Sequence, residues 1–106
     1  MSPQTAGYIV LTLKAHREGD QYVSECVELG VGSCGSTLDE AFEAIKDATL
    51  VYLETLGEEG GLERVFAERG ITIIPGEPPK PGGEIAVRAR PEEYVSPETI
   101  RIPVPA

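Results

Sequence analysis

Residues 8 to 16 alternate, with Ile9, Leu11, Leu13 and Ala15 on one side and Tyr8, Val10, Thr12, Lys14 and His16 on the other. A two-residue period predicts a strand with one dry face. Arg17 to Gln21 is polar and contains Gly19, which suits a hairpin loop. The next run, Tyr22 to Leu29, is rich in β-branched residues and partly alternating. Gly30 then offers a turn before Val31-Gly32-Ser33-Cys34. Three antiparallel strands in a meander are expected.

The period changes at Ser36-Thr37. Leu38, Ala41, Phe42, Ile45, Ala48, Tyr52, Leu53 and Leu56 recur at steps of three and four, the signature of a helix with one apolar face. Thr37 and Glu40 stand three apart and fit a capping box, which satisfies backbone N–H groups that no helical carbonyl reaches. Gly57 and the pair Gly60-Gly61 are expected to stop this helix. Leu62, Val65 and Phe66 share a face of a shorter second helix that Gly70 ends. Ile71 to Ile74 reads as extended. From Pro75 to Gly83 seven of nine residues are proline or glycine, so neither helix nor internal strand continues through them. Beyond, Ile85 with Val87 and Ile100 with Ile102 and Val104 alternate with polar neighbours, which predicts two short strands separated by a Pro91–Glu98 loop. Pro103 and Pro105 would confine the last of them to an edge. The expected organisation is a folded module over residues 1–74, a linker at 75–83 and an extended arm at 84–106. That arm could pair with its own sheet or with a neighbouring subunit.

A length of 106 residues gives room for one core. Hydrophobic residues make up 41% and charged residues 25%, ordinary for a folded chain. Nine basic and eighteen acidic side chains leave a formal charge of −9, the wrong sign for unaided binding to nucleic-acid phosphates or anionic lipid. No apolar run approaches the about 20 residues that cross a bilayer, and Met1 to Thr5 lacks the basic-then-apolar order of a secretion signal. A cytoplasmic location is therefore expected, with neither direct DNA binding nor membrane attachment.

The segment Tyr22-Val23-Ser24-Glu25-Cys26-Val27-Glu28-Leu29-Gly30, followed by Gly35-Ser36-Thr37-Leu38-Asp39-Glu40-Ala41, Ile45-Lys46-Asp47-Ala48 and Tyr52-Leu53-Glu54, resembles the HicB antitoxin family over roughly residues 8 to 56. The family's proline before Gly30 is missing here, and Ser36 stands where an acid is usual. The resemblance implies a partial RNase H-like fold, an antiparallel sheet with a helix packed against it; with the pattern above, the expected fold is α+β, an antiparallel β-β-β-α(-α)-β module with an extended Pro-rich C-terminal arm. It also implies a partner, a small basic toxin of the HicA type that cleaves mRNA, and a role in masking it. Family members commonly add a helix-turn-helix or ribbon-helix-helix for operator DNA. The extended tail after Gly70 shows no pattern for either.

Catalysis, metal and cofactor binding are not expected. Metal-assisted attack on phosphorus needs converging carboxylates, and the first strand carries none between Tyr8 and His16. His16, the only histidine, reads as a polar residue at a strand end. If the hairpin turns about Gly30, Cys26 and Cys34 are equidistant from it and could face each other. In a reducing compartment they read as two small thiols packing as hydrophobes. Residues 1–56 hold three basic and nine acidic side chains. Asp39, Glu43 and Asp47 follow at steps of four on the helix, where like charges repel by a few tenths of a kcal/mol per pair. Either this is a solvated face, or the stripe together with Glu25 and Glu28 steers and holds a cationic protein. The alternative to a toxin-binding role is a solitary HicB-like oligomeric module. In either case a dimer or larger assembly is expected, because a meander covered by one helix leaves strand edges open and has little core.

Overall fold

A computed structural model of the chain describes residues 6–77, 87–90 and 93–103. Strands β1 (Ala6–Glu18), β2 (Gln21–Cys26) and β3 (Val31–Gly35) are followed by helices α1 (Leu38–Glu59) and α2 (Leu62–Arg69). Then come β4 (Ile74–Pro75), β5 (Val87–Arg90) and β6 (Glu93–Pro103). All strand pairings are antiparallel. The sheet runs β3-β2-β1-β6-β5, with β4 also paired to β1. The protein is thus α+β, an antiparallel sheet with its helices after the first three strands.

The dry face of β1 is the one the alternation predicts: Ile9, Leu11, Leu13 and Ala15 are buried. They meet Ala41, Phe42, Ile45, Leu53 and Leu56 of α1, and Val65 and Phe66 of α2 join the same cluster. α1 begins as its capping signal requires, with Thr37 Oγ1 accepting from Glu40 N–H at 3.1 Å. The Glu40 carboxylate reaches back to the N–H of Ser36 at 3.1 Å. A Cβ on Gly35 would stand 2.6 Å from the Ala41 nitrogen, so only glycine lets the start of α1 lie this close to β3. Gly57, expected to stop the helix, lies inside it. The stop is Gly60, whose φ of 74° favours a residue without Cβ.

Three loops differ from expectation. The first hairpin turns on Gly19 and Asp20 alone, since Glu18 pairs with Gln21. The second uses four residues, Val27 to Gly30, because Cys26 pairs with Val31. The turn is thus centred between Glu28 and Leu29, ahead of the Gly30 centre assumed in placing the cysteines opposite each other. The third is the expected Pro91–Glu98 loop, most of which is strand. β6 runs from Glu93 to Pro103 and pairs with β1 from His16 to Ala6. The C-terminal arm therefore belongs to the chain's own sheet, and its strand is internal beside β5 at one end. The expected linker from residue 78 onward, Ile85, Val104 and Pro105 fall outside the described residues.

Pro97 sits within β6 for a reason visible at Thr12, its partner in register. Thr12 accepts from the Val27 N–H at 2.9 Å, and its own N–H donates to Glu28 Oε1 at 2.7 Å, so both of its backbone groups face the β2 side. Strand groups alternate in direction. Leu11 and Leu13 therefore face β6, and Pro97 faces away from β1. Among the described residues β5 pairs only with Glu93 to Val95, so within them the N–H that proline lacks meets no strand.

Glu28 closes a gap in β1. On that side β4 pairs with Gly7 and Tyr8, and β2 begins at Leu13. Between them the Glu28 carboxylate takes the Thr12 N–H on one oxygen and the Thr12 hydroxyl on the other, at 2.7 and 2.8 Å. A side chain stands in for strand. Glu28→Ala leaves a part-buried amide without an acceptor and is expected to lower stability by about 1–3 kcal/mol in urea unfolding, whereas Glu28→Gln, which keeps one acceptor oxygen, costs less. An unchanged midpoint for the alanine variant would contradict this role.

Candidate functional site

The residues expected to form one acidic partner surface do not form one. Asp39, Glu43 and Asp47 are exposed on the outward side of α1. Glu25 pairs in register with Lys14 and so lies on the opposite face of the sheet from α1. Glu28 is bound to Thr12 and serves the fold. The surviving surface is the ridge of α1, and Glu54, two turns beyond Asp47, extends it. Its periodicity was visible in the sequence, but the four-residue step from Asp47 lands on Val51 and hides Glu54. Lys46 beside the ridge stands 3.9 Å from Glu43 and 3.9 Å from Glu98 of β6, so its charge is divided between helix and sheet.

The two flanks of the ridge differ. On one side α1 packs against β3, β2 and β1 without covering β6. A furrow is left, lined by Leu50, Leu53, Gly57, Leu62, Ile100 and Ile102, with Lys46 and Glu98 at one end and Arg101 along it. On the other flank, facing β3, Asp47, Ala48, Val51, Tyr52 and Thr55 line a shallow, largely apolar hollow with Val31. Val51 is 62% exposed, the most of any large hydrophobic residue among those described. Among the described residues no helix covers the sheet's far face. It carries Tyr8, Val10 and Ile74, an ion pair of Lys14 with Glu93 at 3.7 Å, and one of Arg101 with Glu77 at 2.6 Å. Exposed pairs of this kind contribute about 0–1 kcal/mol each.

The cysteines are apart. Cys26 faces α1 and is fully buried, whereas Cys34 pairs in register with Val23 on the far face and is exposed. Burial pushes the Cys26 thiol up, and the Glu28 charge adds to it, while the Leu29 and Glu28 backbone beside the sulfur works the other way. His16 pairs with Glu18 at 2.7 Å in an exposed position. Among the described residues no group of three or more His, Cys, Asp or Glu side chains is placed to hold a metal ion. No helix there is long and apolar enough to cross a membrane. Comparison with models of protein families, with curated proteins and with solved structures finds no match.

Thiol chemistry checks the assignment of the two cysteines. One equivalent of an alkylating reagent is expected to react with the native protein, at Cys34, and a second only after unfolding. Folded Cys26 keeps its proton to higher pH than unfolded Cys26. Stability from this source is thus intact below the ordinary thiol pKa of about 8.5 and falls as pH rises above it. Cys26→Ala should flatten that alkaline decline. Two equally reactive thiols in the native state would contradict the placement.

Proposed function

We propose that the protein is a non-catalytic, HicB-like antitoxin-type protein. It binds a small basic, mRNA-cleaving toxin of the HicA kind in the cytoplasm and blocks it sterically. The observation that carries this reading is the acidic ridge of α1, Asp39, Glu43, Asp47 and Glu54, raised above a rigid sheet and only partly offset by Lys46. A cationic protein approaching this ridge is steered by charge and then seated by contact, with Leu50 and the furrow beside β6 as apolar anchors. The β-β-β-α-α order and the Thr37–Glu40 cap, which belong to the resembling segment, support assignment to a partial RNase H-like HicB fold. The chain's acidity argues against direct contact with operator DNA.

A second reading, a solitary oligomeric HicB-like module without a toxin, is favoured by the exposed Val51 in the largely apolar hollow between α1 and β3. The gene adjoining this one separates the two. Co-expression of a short basic reading frame found there is expected to arrest growth alone and to be rescued by this chain. Glu43→Lys combined with Asp47→Lys should slow association of the purified pair about tenfold or more at low ionic strength, with the difference shrinking as salt rises. Association at an unchanged rate would remove the ridge from the account.

A further inference from the structure

We draw no further inference here: the strongest candidate, the cavity between α1 and β6 lined by Leu13, Lys46, Thr49, Leu50, Glu98 and Ile100, belongs to the furrow already described, and nothing in the structure shows what else would cover it.

Discussion

Every other element of the protein is placed by β1. Its odd-numbered side chains form the floor of the core, one edge carries β6 along nearly its full length, and the other carries β4 and β2. A thirteen-residue strand is long for a domain of this size. No single neighbour covers its second edge, so a break must be bridged, and Glu28 does so through two hydrogen bonds to Thr12. That bridge fixes which way Thr12 points. The direction of Thr12 in turn decides why Pro97 is tolerated in β6.

Much of this was legible in the residues. The alternation in β1, the shift to a helical period at Thr37, the capping pair and the Gly70 stop all describe local structure, which local sequence determines. Failures came where a distant partner decides. Pro97 argues against a strand when read alone, and only the orientation of Thr12, far away in the chain, removes the objection. Gly57 looks like a helix end, yet α1 continues because Leu53 and Leu56 on the same turn are held in the core. The pairing of Cys26 with Cys34 failed by arithmetic, since the turn is not centred on Gly30.

The candidate site follows the same rule. The stripe of Asp39, Glu43 and Asp47 is a property of one helix and survives in the structure. The addition of Glu25 and Glu28 required knowing which face of the sheet each residue takes and whether its carboxylate is already bonded. In the structure α1 carries an acidic ridge, an apolar furrow on one flank and, on the other, a largely apolar hollow bordered by Asp47.

Amide hydrogen exchange tests the placement of β6 against β1 most directly. Slow exchange is expected at Ile9, Leu11 and Leu13 and at Ser96, Glu98, Ile100 and Ile102, whose groups face each other, with fast exchange at Thr99 and Arg101, which face outward. Uniformly fast exchange through residues 96 to 102, or slow exchange at the odd positions in place of the even ones, would contradict the register on which the account rests.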